Sequence, residues 1–148
     1  MPEKKRVLFL CTGNSARSQM AEAFLKKYAG NRFDVHSAGL DPVGIHPFTV
    51  KVMKEIGVNL AEHRSKVVST YLGKKHFAYL ITVCAKAEKR CLSVFPGVAT
   101  RLHWAFDDPA AAKGTDEEKL NKFREIRDKI DTRIRDWLSE LGIPLSAV

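Results

Sequence analysis

The sequence has no long apolar run and no segment that resembles a secretory signal. None of its 148 residues falls in a stretch approaching the eighteen or more apolar residues of a transmembrane helix. Charged residues 3–6 lead into only four apolar residues, and no small-residue cleavage site follows them. We therefore expect a cytoplasmic protein that does not associate with a membrane.

The sequence also lacks a long basic block, although its formal net charge is +8. Its basic residues are spread along the chain and often stand next to acids, as in residues 124–129, and no aromatic residues are interleaved with them. This pattern indicates a solvated basic surface that attracts small anions, and we expect no nucleic-acid partner.

Cysteine is scarce, with only Cys11, Cys84 and Cys91 in the chain. An odd number of cysteines in a reducing compartment argues against a disulfide framework. Core thiols, metal ligands and reactive thiols remain as alternatives. A zinc site formed by Cys84 and Cys91 with His76 and His103 lacks the close cysteine pairs of structural zinc modules. We therefore expect no metal and no cofactor.

Hydrophobic periodicity predicts an α/β fold. Residues 7–10 and 78–83 are continuous apolar runs typical of buried strands, residues 33–39 alternate, and residues 102–104 form a short fourth strand. Helical spacing predicts helices from about residue 18 to 30, from 47 to 57 and from 115 to 142, with a shorter helix within 62–72. The alternation predicts a four-stranded parallel sheet with helices on both faces, in a single catalytic domain spanning residues 1–148.

Reactive residues follow three of the predicted strands. Cys11, Cys84 and the pair Asp107 and Asp108 all come just after a strand, and the carboxyl ends of parallel strands share one edge of the sheet. We therefore expect the functional site at that edge. The histidines His36, His46 and His63 show no clustering and are interpreted as structural or surface residues.

The loop after the first strand has the composition of an anion-binding loop. Its backbone N–H groups and the following helix N-terminus converge on one point, and Arg17 offers a planar fork to two oxyanion oxygens. The same positive environment favours the thiolate of Cys11, which makes it a candidate nucleophile. The candidate oxyanion-binding residues are Thr12, Gly13, Asn14, Ser15, Ala16, Arg17 and Ser18.

Asp108 is a candidate general acid. Breaking a bond from phosphorus or arsenic to oxygen leaves a group that needs a proton, and a nearby carboxylic acid supplies it. Because Asp before Pro also starts turns, Asp108 has a compatible structural interpretation, whereas Asp107 is interpreted as a turn residue or a supporting one.

Two strings carry a family resemblance. The pattern Cys-x5-Arg-Ser after a strand resembles the active-site loop of low-molecular-weight protein tyrosine phosphatases. Residues 11–22, Cys-Thr-Gly-Asn-Ser-x-Arg-Ser-Gln-Met-Ala-Glu, more closely resemble the thioredoxin-coupled arsenate reductases that share that fold, as does His-Trp-x-Phe-Asp-Asp-Pro-Ala at residues 103–110. The resemblance extends from about residue 7 to residue 138 and implies a low-molecular-weight phosphatase-like fold.

The resemblance also implies a redox mechanism. The reductases are similar in having a Cys-x6-Cys pair, here Cys84 and Cys91, through which thiols relay electrons from thioredoxin to an arsenate adduct on Cys11. Asp108 is implied as the acid. The expected substrate is arsenate with phosphate as a competing anion, and we expect a monomer. The alternatives are a phosphatase that acts through a Cys11 phosphocysteine, and an oxyanion-binding or redox-sensing protein without turnover.

The sequence departs from this family pattern at a few positions. Ala16 stands where these reductases commonly have a further cysteine outside the relay, and Leu92 stands where they have proline. Some members bind potassium through an Asn, a Ser and a Thr-Ser-Asp string, but the string here is Arg-Ser-Lys at residues 64–66. We therefore expect no bound cation, with Lys66 supplying the positive charge.

Overall fold

The computed structural model describes residues 4–71, 74–83 and 97–146, and these form a parallel sheet with helices between its strands. The strands are β1 (Lys5–Cys11), β2 (Phe33–Gly39), β3 (Phe77–Thr82) and β4 (Val98–His103). The helices are α1 (Arg17–Ala29), α2 (Pro47–Glu55) and α3 (Asp116–Glu140), with short 3-10 turns at Val68–Thr70 and Pro109–Ala111.

The sheet places β1 in its interior. The strand order is β2-β1-β3-β4 and every pairing is parallel. Residues 7–11 of β1 are all buried, which explains why this strand is a continuous apolar run. The predicted α/β fold with a four-stranded parallel sheet is confirmed, and its carboxyl edge contains Cys11.

Helix α3 begins and packs as its sequence predicts. The Thr115 hydroxyl accepts from the Glu118 N–H, and the Glu118 carboxylate accepts from the Thr115 N–H, so the two residues form a capping box. Its apolar stripe, which includes Phe123, Ile130 and Trp137, is buried in the core. Burial of this stripe holds the helix against the core. The first turns of the helix lie near the edge of the sheet that contains Cys11.

Two elements differ from their predicted extent. Strand β4 begins at Val98 rather than at residue 102, and none of its six residues is buried, so an edge strand of this kind leaves no apolar pattern to read. The helix expected within residues 62–72 is a single 3-10 turn, Val68–Thr70.

The described helices include none that is both long enough and apolar enough to cross a bilayer.

Candidate active site

Cys11 ends β1 with its sulfur inside the following loop. The side chain is 2% exposed, and its Sγ accepts from the Asn14 N–H at 3.2 Å. The Ser18 hydroxyl lies 2.8 Å from the same sulfur. Both groups are placed where they can donate hydrogen bonds to the sulfur.

A neighbouring segment holds this loop by its backbone. Residues of the 40–46 segment donate to the loop carbonyl groups: Leu40 to Cys11 (3.2 Å), Asp41 to Thr12 (2.9 Å), Val43 to Gly13 (3.1 Å) and His46 to Ser15 (3.0 Å). Because these carbonyl oxygens bond outward, the loop N–H groups remain on the opposite side of the backbone, as an anion cradle requires.

Gly39 allows the loop to pack closely on the end of β2. A Cβ atom at Gly39 would lie 2.7 Å from the Thr12 carbonyl oxygen and 2.9 Å from the Asn14 nitrogen, both of which are backbone atoms. Any larger residue would therefore displace the loop. Asn14 adopts φ 49°, a left-handed conformation that asparagine tolerates better than most residues do.

The orientation of the Asn14 side chain is fixed by its partners. Its Oδ1 accepts from the Lys66 backbone N–H at 2.8 Å and from Gln19 Nε2 at 3.0 Å. Because a backbone N–H can only donate, the amide nitrogen must face the other way, where it donates to Ser18 Oγ (2.7 Å) and Ser37 Oγ (3.1 Å). Ser18 Oγ thus accepts from Asn14, and it can donate its own proton to a thiolate at Cys11.

A buried carboxylate terminates this network. The Ser37 hydroxyl donates to Glu22, which also accepts from Lys26 Nζ at 2.5 Å. Burial alone would raise the pKa of Glu22, but the hydrogen bonds from Lys26 and Ser37 hold it below its ordinary value, so Glu22 is ionised. The Lys66 ammonium lies 3.9 Å from Glu22 Oε1 and donates to the Arg64 carbonyl at 2.8 Å.

Sequence reasoning missed three members of this network. Gln19 and Glu22 look like polar positions on a solvated helix face, yet both are buried. His63, interpreted from the sequence as a structural or surface residue without neighbours, donates from Nδ1 to Gln19 Oε1 at 3.0 Å. Burial lowers the pKa of His63 despite Glu22 nearby, so it is a neutral structural partner. Glu22 is three residues after Gln19 and four after Ser18, and this helical spacing is the one signal in the sequence that places it on the loop side of α1.

Arg17 connects the loop to the candidate acid. Its Nη1 donates to the Phe106 carbonyl at 3.1 Å, and its Nη2 lies 3.8 Å from Asp108 Oδ2. The Asp108 side chain is 46% exposed, and its Oδ1 accepts from the Ala110 N–H at 3.0 Å, so it caps the 3-10 turn while its second oxygen faces Arg17. Asp107 is instead directed toward Lys122 (3.5 Å) on α3.

His46 is a further residue beside the loop. Its Nδ1 accepts from the Phe48 N–H at 3.0 Å and caps α2, and its ring packs against Phe123 with centroids 4.8 Å apart. Burial lowers the pKa of His46, against an opposing effect of Asp108. Since Nδ1 is an acceptor, the neutral ring has its proton on Nε2.

Two predicted site residues, Cys84 and Cys91, lie outside the described residues. The strand before Cys84 is described, however. β3 pairs with β1 in the register Leu10 with Thr82, and the Val83 N–H donates to the Leu10 carbonyl at 2.9 Å. The chain therefore reaches Cys84 from the strand next to the one that ends in Cys11. Within residues 4–71, 74–83 and 97–146, no three His, Cys, Asp or Glu side chains are grouped so as to hold a metal ion.

The fold and the site together define a class of protein: an α/β domain with a buried cysteine in the strand-to-helix loop at the carboxyl edge of its parallel sheet. A family model described as low molecular weight phosphotyrosine protein phosphatase matches residues 6–144. The chain therefore belongs to this family, and the resemblance found in its sequence is confirmed.

Known proteins similar to the chain carry reductase names. It is 48% identical to a protein of Halalkalibacterium halodurans called arsenate reductase, over 90% of this chain and 95% of that protein. Among solved structures, an arsenate reductase in the phosphate-binding state matches with a TM-score of 0.70 and 26% identity over 92% of this chain and 98% of that one. A thioredoxin-dependent arsenate reductase of Corynebacterium glutamicum matches with a TM-score of 0.70 and 29% identity over 94% of this chain and 62% of that one.

Proposed function

We propose that this protein is a cytoplasmic, monomeric arsenate reductase that takes its electrons from thioredoxin. The observation that carries the proposal is the position of Cys11 Sγ, which is buried inside the loop after β1 between the Asn14 N–H and the Ser18 hydroxyl. The name of the 48% identical relative supports arsenate as the substrate, and the thioredoxin dependence of the similar Corynebacterium protein supports the electron donor.

In the first step, the Cys11 thiolate attacks the arsenic of arsenate bound by the loop and Arg17. A bond from sulfur to arsenic forms, and one arsenic-bound oxygen leaves as water after taking a proton from Asp108. The 3.8 Å separation of Arg17 Nη2 and Asp108 Oδ2 supports this division of roles, because it keeps the acid beside the guanidinium that holds the anion.

In the second step, the Cys84 thiolate attacks Cys11 Sγ. A disulfide forms as the sulfur–arsenic bond breaks, and the two electrons of that bond remain on arsenic, which leaves as arsenite. Cys91 then attacks Cys84 and releases the Cys11 thiolate. The dithiol of thioredoxin reduces the Cys84–Cys91 disulfide and completes the cycle. The adjacency of β1 and β3 supports the first exchange, because disulfide partners need Cα atoms within about 7 Å of each other.

The second candidate is a phosphatase that acts through a Cys11 phosphocysteine, which the family model favours. The sequence lacks the tyrosine pair next to the acid that many such phosphatases have. The residue exposed beside Gly13 is the aliphatic Val43, 74% accessible, and the three tyrosines of the chain are Tyr28, Tyr71 and Tyr79. Tyr28 bonds to Asp131, and Tyr71 packs on Phe77. A small inorganic anion needs no aromatic wall, so slow phosphatase activity and weak inhibition by phosphate are expected as side properties.

The deciding experiment measures NADPH oxidation by the purified protein with thioredoxin, thioredoxin reductase and arsenate. Wild type should sustain many turnovers of NADPH oxidation. Cys91→Ser should release one equivalent of arsenite, with the electrons of Cys11 and Cys84, and oxidise no NADPH, whereas Cys11→Ser should release no arsenite. Hydrolysis of p-nitrophenyl phosphate by Cys91→Ser provides the matched control for an intact loop. If arsenate causes no NADPH oxidation while that hydrolysis is the same in wild type and Cys91→Ser, the protein is a phosphatase and the relay is wrong.

A further inference from the structure

Several cationic side chains lie at the amino edge of the sheet, opposite the edge that contains Cys11. Because the strands are parallel, the residues that precede β1, β2 and β3 share one edge, and the catalytic loop occupies the other. The exposed cations at or just before these strand starts are Lys4, Lys5, Arg32, Lys74 and Lys75.

Among the described residues these cations form no close ion pair, unlike the cations on α3, and only Lys75 interacts with an acid at longer range, namely Asp34. Among the residues that the structure describes, none of the five lies within 4.0 Å of a carboxylate oxygen. On α3, by contrast, Arg124 lies 2.7 Å from Glu55 and Arg127 lies 3.0 Å from the same carboxylate. Lys122, Lys129, Arg133 and Arg135 also have acidic partners. This cluster repels itself, so an anionic partner at this edge would be bound favourably.

Two adjoining grooves shape this surface, and they share Lys4 and Lys5. The first has a volume of about 380 Å³, a cationic rim that includes Arg32, and a floor of Phe33, Tyr79, Leu141 and Ile143. The second, of about 490 Å³, extends past Arg6 to His76. Asp34 is the only acid among the described residues that line either groove, and it is engaged by Arg6 (3.6 Å) and His36 (3.0 Å). We call this surface, centred on Lys4, Lys5 and Arg32, the basic groove.

We propose that the basic groove is a docking surface for an acidic segment of a partner protein. Its rim offers several cations to carboxylates, and its floor offers apolar surface to one aliphatic side chain between Tyr79 and Leu141. The mixture of charge and apolar floor fits a peptide segment better than it fits a small inorganic anion, which would gain nothing from the floor.

Other occupants fit this surface less well. Nucleic-acid bases stack on free aromatic faces, but the Phe33 ring is stacked on Trp137 (5.5 Å, 24°) and the Tyr79 ring meets Trp137 edge-on (5.1 Å, 88°). A second copy would bring the same positive charge against itself. Because the groove lies at the edge away from Cys11, a segment bound there leaves the catalytic loop accessible. The partner would therefore hold the enzyme in a complex and would not be its electron donor.

The test uses fluorescence anisotropy with a labelled probe peptide of eight glutamates around a central leucine. Wild type should bind the probe, and Lys4→Glu/Lys5→Glu should weaken binding at least tenfold. The matched control is Lys51→Glu/Lys54→Glu, which changes two exposed lysines of α2 and the net charge by the same amount, and it should change binding less than threefold. A second groove variant, Arg32→Glu, repeats the measurement without altering β1. Replacing the central leucine by serine should weaken binding several-fold through loss of the floor contact.

Several outcomes would overturn the proposal. These are no binding of the probe at millimolar concentration, equal loss in the groove and control variants, or binding of a glutamine version of the peptide as tight as that of the acidic one. Tighter binding of a single-stranded DNA oligonucleotide would assign the surface to nucleic acid instead. Since the readout is binding and not arsenate turnover, it is independent of whether the proposed reductase activity is correct.

Discussion

Removing the Ser18 hydroxyl tests the interpretation of the site most directly. The Ser18 Oγ lies 2.8 Å from Cys11 Sγ, and it is the donor of this hydrogen bond when Cys11 is a thiolate, because a thiolate has no proton to donate. A hydrogen bond to a charged group contributes about 1.5–3 kcal/mol, which corresponds to a factor of about 10 to 100 in rate. We therefore expect Ser18→Ala to lower kcat/KM for arsenate by that factor and to slow alkylation of Cys11 by iodoacetamide at neutral pH.

Ser37→Ala is the matched control for this change. It also removes a buried hydroxyl that accepts from Asn14 Nδ2, but it does not touch the sulfur. Each variant leaves a buried amide hydrogen without an acceptor, so each should lose at least roughly 1–3 kcal/mol of unfolding free energy, as measured in urea. Ser37→Ala should lose more, because it also removes the hydroxyl that donates to the buried Glu22 carboxylate. Only Ser18→Ala should show the full loss of alkylation rate. Equal alkylation rates in folded Ser18→Ala and wild type would refute the donation of the Ser18 proton to the Cys11 sulfur.

Further predictions concern the acid, the buried cation and pH. Asp108→Asn should lower the rate of p-nitrophenyl phosphate hydrolysis by about 100-fold or more, whereas Asp107→Asn, on the carboxylate that faces α3, should change it less than about threefold. Turnover should be the same in potassium and sodium buffers because Lys66 already places a cation beside the buried carboxylate, and a rate that depends on potassium would contradict this. Burial lowers the pKa values of His46 and His63 below the ordinary 6.5, so the unfolded chain takes up protons first as pH falls. The free energy of unfolding in urea should therefore fall as the pH is lowered from 7 through about 6, and it should level off below the folded pKa values. This dependence on pH should be weaker in His46→Asn. An unchanged dependence in that variant would mean that other groups cause it.

The sequence predicted most of the fold because the core elements have strong periodic patterns. Strand β1 is buried along residues 7–11 and reads as an uninterrupted apolar run, and α3 repeats apolar residues every three or four positions. The start of β4 could not be predicted, since Thr100 and Arg101 sit on an exposed edge strand where hydrogen bonding rather than burial defines the element. The apolar pattern of the sequence therefore predicted the elements that are buried on one face or on both faces.

The site was predictable only in its contiguous part. Residues 11–18 occur in one string, so the chemistry of the loop can be read from residue types and their order. The partners that orient Asn14 come from elsewhere: Ser37 from the neighbouring strand, and the Lys66 N–H from a position 52 residues away. A backbone donor has no signature in the amino-acid sequence, because every residue other than proline carries one.

The same donors would serve Cys11 at two different steps of the proposed relay. As the nucleophile, Cys11 needs to be a thiolate at neutral pH, and the Asn14 N–H and Ser18 hydroxyl favour that form at some cost in intrinsic nucleophilicity. When Cys91 attacks Cys84, Cys11 is the leaving group, and a stabilised thiolate leaves faster. A phosphatase would use Cys11 in the same two roles, first as the nucleophile and then as the leaving group when water hydrolyses the phosphocysteine. Ser18→Ala should consequently slow both thioredoxin-linked turnover and p-nitrophenyl phosphate hydrolysis, and an unchanged rate in either reaction would mean that this hydroxyl does not assist the limiting step of that reaction.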